Sequence, residues 1–227
     1  ITANYAAENL TNFETILSEY GVGIVEGMVV EGSARNYYQM PYCLLPDIGY
    51  DSVTTSASSG YIFVPCAQGF TYPQQTEEEE ESSDITYTSL LTTSESAYSK
   101  VDMANIQSFD KEENDIDGPL SVGLHVSKAA TEEDGESTEL YLFGTADIFT
   151  DEASQYVYGN NLTLFTGVTT QFSGGEAESV IPVKSYEISN LVMSQAVVTG
   201  GMLIMLILIP VGLLATGIII WARRRKR

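Results

Sequence analysis

Basic side chains are scarce in this chain of 227 residues: ten Lys and Arg stand against 31 Asp and Glu. Phosphate binding needs a cationic surface, so nucleic acid is excluded as a partner. Histidine occurs once, at His125, and cysteine twice, at Cys43 and Cys66. That scarcity excludes most multi-ligand His/Cys metal sites and leaves no metal site to assign. A phosphate-cradling glycine loop is missing, so the chain has no means of hydrolysing ATP by itself and no cofactor is expected. The chain opens on Ile1 without a signal-peptide pattern, which reads as a piece of a longer protein.

What is present is unevenly placed. All the acids precede residue 190, where Arg35, Lys100, Lys111, Lys128 and Lys184 are the only Lys or Arg residues. Arg223, Arg224, Arg225, Lys226 and Arg227 close the chain. Between them, Ala196–Trp221 carries no charge, and Met202–Ile220 (MLIMLILIPVGLLATGIII) is apolar on every face. At 1.5 Å per residue such a stretch spans about 30 Å, the thickness of a hydrocarbon core. The sequence therefore predicts a transmembrane helix over 191–222 and a basic cytoplasmic tail over 223–227. Trp221 would sit at the interface, and the five terminal bases would hold the tail inside and meet anionic lipid. The acidic body, residues 1–190, would lie outside the cell membrane.

Within the body, Leu10, Phe13, Ile16, Leu17 and Tyr20 fall at helical spacing before Gly21, which predicts a helix over 8–20. Residues 22–30, 61–65, 119–128 and 138–144 read as strands, and 36–50 as an ordered loop rich in Tyr and Pro. Leu162, Phe165, Val168 and Phe172 predict a helix over 160–172 with Asn160 as N-cap. Residues 179–187 read as a last extended piece. Residues 74–84 hold five consecutive glutamates, Glu77–Glu81, whose mutual repulsion predicts a solvated loop. Strands alternating with helices imply an α/β layer fold with a mixed or largely parallel sheet and flanking helices.

Several segments, in this order, carry a resemblance. They are FETILSEYGVGIVEGMVVEG (13–32) with YYQMPYCLLP (37–46), LLTTS (90–94), Asp117-Gly118-Pro119, LFGTADIF (142–149) and Gly159-Asn160-Asn161-Leu162. Ile181–Lys184 follows, ahead of the apolar segment and its basic tail. The series resembles the GldG-like, gliding-motility-associated auxiliary proteins of bacterial ABC transporters, over their C-terminal part. The sequence departs from that pattern at Ala146, where Ser is usual, and in the glutamate insertion. The resemblance implies an amidotransferase-like α/β domain, incomplete at its N-terminus. It also implies a non-catalytic, membrane-anchored accessory subunit whose partners are an ABC permease, a separate ATPase subunit and a cell-envelope ligand. The alternatives are a stand-alone surface receptor or adhesion module, and an amidotransferase-like enzyme.

The enzyme alternative rests on Cys66, which follows the 61–65 run, and on His125 as its base. A nucleophile elbow needs a small residue before the nucleophile, and Pro65 occupies that position. No acid near His125 in sequence is placed to orient it, so no catalytic residue is expected. Cys43 and Cys66 are compatible with a disulfide in an oxidising compartment and equally with two buried thiols. The acidic runs Glu77–Glu81 and Thr131–Glu139 lack the alternation around glycine that a calcium loop needs. The sequons at Asn9 and Asn161 both begin predicted helices and are discounted.

Overall fold

The structure is a computed structural model. It describes residues 11–75, 83–103, 108–130, 137–173, 206 and 209–225. The chain divides into two compact units, 1–178 and 179–227.

The first unit is built on strands. Helix α1 (Thr11–Ser18) precedes β1 (Gly23–Ile24) and β2 (Met28–Val30). Four two-residue strands follow: β3 (Cys43–Leu44), β4 (Asp47–Ile48), β5 (Val64–Pro65) and β6 (Phe70–Thr71). The long strands are β7 (Ile85–Thr92) and β10 (Ser121–Lys128), with β8 (Tyr98–Lys100) and β9 (Ile116–Asp117) between them. Strand β11 (Thr138–Phe143) leads through a 3₁₀ turn (Asp147–Phe149) to α2 (Asp151–Tyr156) and α3 (Asn160–Phe172). In the main sheet β10 lies at the centre, with β7 and then β4 on one side. Its other pairings are with β11 along Gly123–Lys128 and with β6 at Ser121; β6 in turn pairs β1.

Every strand pairing among the described residues is antiparallel. This corrects the expected mixed or parallel α/β sheet. A parallel pair needs a crossover, usually a helix, between its strands. Here α1 precedes all the strands, and α2 and α3 follow all of them. Two helices at the expected positions suggested alternation; the strands between them are instead joined by loops and pair antiparallel in a non-sequential order.

Alternation along β11, with Leu142 on one face and Tyr141 and Phe143 on the other, separates two cores. Leu124 and Val126 pack with Leu17 of α1, Val22, Phe70 and Leu142. On the other side Tyr141 and Phe143 join Leu90, Leu91, Val53 and Ala57 beneath Leu164 and Val168 of α3. The expected helix over 160–172 is present, but its inward stripe is Asn161, Leu164 and Val168. Leu162, Phe165 and Phe172, placed inward by periodicity, stand 59%, 42% and 63% exposed. The N-cap is Gly159, in the left-handed region at φ 88°, rather than Asn160.

The expected strand over 22–30 is broken at Gly27, whose φ of 95° suits glycine. A side chain there would also meet the Lys100 carbonyl and the Ser99 hydroxyl.

The second unit contains α4 (Ile209–Arg225). Among the described residues no helix is long and apolar enough to cross a membrane. This corrects the expected C-terminal span. The helix continues into Arg223–Arg225, so its uncharged part, Ile209–Ala222, rises only about 21 Å. Residues 191–208, apart from Leu206, lie outside the described residues, as do Lys226 and Arg227. So do most of the acidic loop (76–82), residues 131–136 and the extended piece expected at 179–187.

Candidate functional site

Cys66 follows β5, but the chain runs on into β6 rather than into a helix. A nucleophile elbow is a strand-to-helix turn. Cys66 does sit in the left-handed region, at φ 50°, yet no helix N-terminus follows to stabilise a thiolate. Burial pushes its thiol above the ordinary cysteine value, and the Asp147 carboxylate adds to the shift. Burial likewise raises Cys43, with a further contribution from Cys66. The β3–β5 ladder sets Cys43 opposite Pro65, and the Cys66 amide donates to the Tyr42 carbonyl at 2.9 Å. Both cysteines are free thiols.

His125 is engaged elsewhere. It faces away from Leu124 and Val126, with Tyr141 of β11 and Thr88 of β7 as its ladder partners. Its ring stacks on Tyr141 with centroids 4.2 Å apart and planes 10° from parallel. Nδ1 lies 2.7 Å from Asp51 Oδ2, and Nε2 lies 2.7 Å from Glu139 Oε2. Asp51 comes from the turn after β4, where its Oδ1 accepts the Val53 amide at 3.0 Å. Glu139 lies on β11 and also accepts the Ser127 hydroxyl at 2.9 Å.

Side-chain exposure is 16% for His125, 8% for Asp51 and 29% for Glu139. Burial alone would lower the imidazole pKa, but the hydrogen bonds and charges of Asp51 and Glu139 outweigh it and raise the value. Burial alone would raise Asp51; the His125 contact and the Val53 amide outweigh it and hold the carboxyl below the ordinary range. Tyr141 is pushed up to about 12 by burial and by the two carboxylates. Both ring nitrogens contact carboxylates rather than a thiol, and the Cys66–His125 dyad is not assembled. No group of three or more His, Cys, Asp and Glu arranged for a metal ion occurs among the described residues.

Sequence reasoning missed this cluster because the acids lie 74 and 14 positions from the imidazole. The signal available was the alternation of 119–128, which puts His125 on the face opposite Leu124 and Val126. A polar ring on a covered sheet face requires partners.

The segments that carry the resemblance hold loops and turns. Glu31 is buried, and its carboxylate accepts the Ser94 amide at 2.8 Å and hydroxyl at 2.7 Å, which ties the 13–32 stretch to LLTTS. The Gly118 amide donates to the Ala97 carbonyl at 2.8 Å, and the Gly118–Pro119 bond is cis. Gly144 passes so close to the Gln68 backbone that any side chain would collide with it. Asn161, fully buried, binds the backbone of Phe63 and Ile148.

Of the residues expected at the membrane, Trp221 is 61% exposed on α4, and the Arg225 guanidinium lies 5.3 Å from its ring centre. Arg223 and Arg224 share that last turn.

No family model and no curated protein matches this sequence. Among solved structures, the mmIFT52 N-terminal domain aligns with a TM-score of 0.46 and 14% identity over 73% of this chain. The match spans 59% of that domain's chain.

Proposed function

We propose that this chain is a non-catalytic accessory subunit of an ABC-type transport system. Its strand-rich acidic domain binds a partner or a cell-envelope ligand, and the apolar stretch ending in the basic tail attaches it to the membrane. The transporter association is supported by the ordered motifs that resemble GldG-like proteins. One observation supports the non-catalytic part: the chain's single imidazole contacts two carboxylates rather than a thiol, while burial raises both thiols above the ordinary cysteine value. ATP hydrolysis belongs to a separate subunit in this reading.

A second reading, a stand-alone surface receptor, is favoured by the aromatic surface. Tyr50, Tyr61 and Tyr158 stand 92%, 67% and 73% exposed. Purification in mild detergent through a C-terminal tag, followed by mass spectrometry, separates the two. Co-recovery of a permease and its ATPase is expected. Recovery of the chain alone, in a detergent that preserves transporter complexes, refutes the accessory reading and leaves the receptor.

A further inference from the structure

The segment from Gly49 to Tyr61 is a wedge between the sheet and α3. The Gly49 amide donates to the Leu90 carbonyl at 2.8 Å, and the Thr54 hydroxyl donates back to Gly49 at 2.7 Å. Val53 and Ala57 sit in the core, and Asn160 of α3 donates to the Ala57 carbonyl at 2.8 Å. Tyr50 and Tyr61, near its two ends, project into solvent. Asp51 is the charged residue in this wedge, and it reaches the sheet through His125.

A neutral imidazole carries one N–H; only the imidazolium donates from both nitrogens. Two carboxylate contacts of 2.7 Å on one ring therefore describe a charge-assisted bridge, Asp51⁻–His125⁺–Glu139⁻. We propose that this triad is a proton-operated latch between the 49–61 wedge and the β10–β11 edge, closed when His125 carries both protons and opened when one leaves. Deprotonation turns one nitrogen's lone pair towards a carboxylate. Glu139, on the same β10–β11 ladder and held by the Ser127 hydroxyl, keeps the remaining N–H on Nε2. Asp51, the more buried, then has no ring donor, and the wedge opens as its carboxylate turns to water.

The described surroundings supply no other charge to confuse the titration. Strand β7 offers Thr88 at this position, and β11 offers Tyr141, which stays neutral. Beside Asp51 lies the Ser52 hydroxyl. Helix α3 has no ionisable side chain and meets Tyr141 through Phe172, with ring centroids 5.6 Å apart. Along β10 itself, Lys128 points the other way, towards the Tyr20 ring. The inference does not depend on the transporter reading.

The sign follows from the raised imidazole pKa. The latch's contribution is complete below the unfolded value of 6.5 and is lost as pH rises through the folded value. The test is histidine NMR with amide exchange on the full chain in detergent, from pH 6 to pH 9. The His125 midpoint is expected above 6.5, with both nitrogens protonated below it and the Nε2–H tautomer above it. Local opening of residues 49–61, corrected for intrinsic exchange, should rise by up to about tenfold per pH unit above 6.5 and then level off at the midpoint. Glu139→Gln should lower the midpoint, and His125→Gln should abolish the pH dependence. A midpoint at or below 6.5, or flat protection of 49–61 across the window, overturns the latch. The unsubstituted chain decides it even if the variants fail to fold.

Discussion

Removing the Asn161 amide should cost more stability than any other single truncation on α3. The side chain is fully buried, its Oδ1 accepts the Phe63 amide at 3.0 Å, and its Nδ2 donates to the Phe63 and Ile148 carbonyls at 2.7 Å each. The bidentate contact with Phe63 replaces a neighbouring strand where the chain approaches β5. Asn161→Ala leaves one backbone donor and two backbone acceptors without partners in the core. An unsatisfied buried group costs about 1–3 kcal/mol, and partial relaxation brings the sum for three to about 3–5 kcal/mol. That is a large share of the roughly 5–15 kcal/mol that holds a domain folded. Asn161→Asp keeps the Oδ1 acceptor but turns a second oxygen towards two carbonyls, so it should be at least as damaging at pH 7 and less so once protonated. The assay is urea unfolding of the full chain followed by near-ultraviolet circular dichroism of its tyrosines. A loss for Asn161→Ala below about 1 kcal/mol, at unchanged m-value, would refute the reasoning. The same bonds predict that the sequon at Asn161 carries no glycan in the folded protein, which intact mass spectrometry reads directly.

Two further outcomes follow from other buried groups. Lys100 is 1% exposed and donates to the Asp110 carbonyl at 2.9 Å while pairing with Glu112 and Asp115, the latter 2% exposed. Lys100→Met should cost about 3–5 kcal/mol in urea unfolding by leaving Asp115 uncompensated. Burial alone would raise Asp115, but the Glu112 and Val101 amides and Lys100 outweigh it and hold its carboxyl low. Its contribution should therefore be present above pH 3.8 and vanish as pH falls through its folded value, which an acid titration of stability checks. Both cysteines, raised by burial, should be alkylated at pH 8 more slowly than a cysteine peptide and at the peptide's rate in urea. Equal rates in the folded chain would contradict the buried-thiol assignment.

Local periodicity located α1 and its Phe13, Leu17 and Tyr20 face, located α3 but not its face, and missed α2. Spacing placed α1 and α3, because amphipathic repeats are written in neighbouring residues. It turned α3 the wrong way, because a stripe of Leu and Phe outweighs one asparagine until Phe63 and Ile148 supply the bonds that make Asn161 an inward residue. Strand β7 escaped notice although it flanks the central strand. Its ITYTSLLT run has no sharp alternation, as its mostly half-buried pattern shows. The parallel sheet was inferred from element order, and order does not specify strand direction when the connections are loops.

Composition alone settles the acidic body, the basic end and the poverty of ligands for His/Cys metal sites, because these are sums over residues and need no geometry. Spacing alone raised the question of Cys66 and His125. Only the tertiary structure answered it, by bringing Asp51 and Glu139 to the two sides of one imidazole. Each of those carboxylates reads by itself as an ordinary surface acid. The antiparallel ladder supplies the juxtaposition: it carries Glu139 beside β10 on one flank and delivers Asp51 from the turn after β4 on the other. Pairing across a sheet depends on register between distant segments, and a linear pattern contains no term for that.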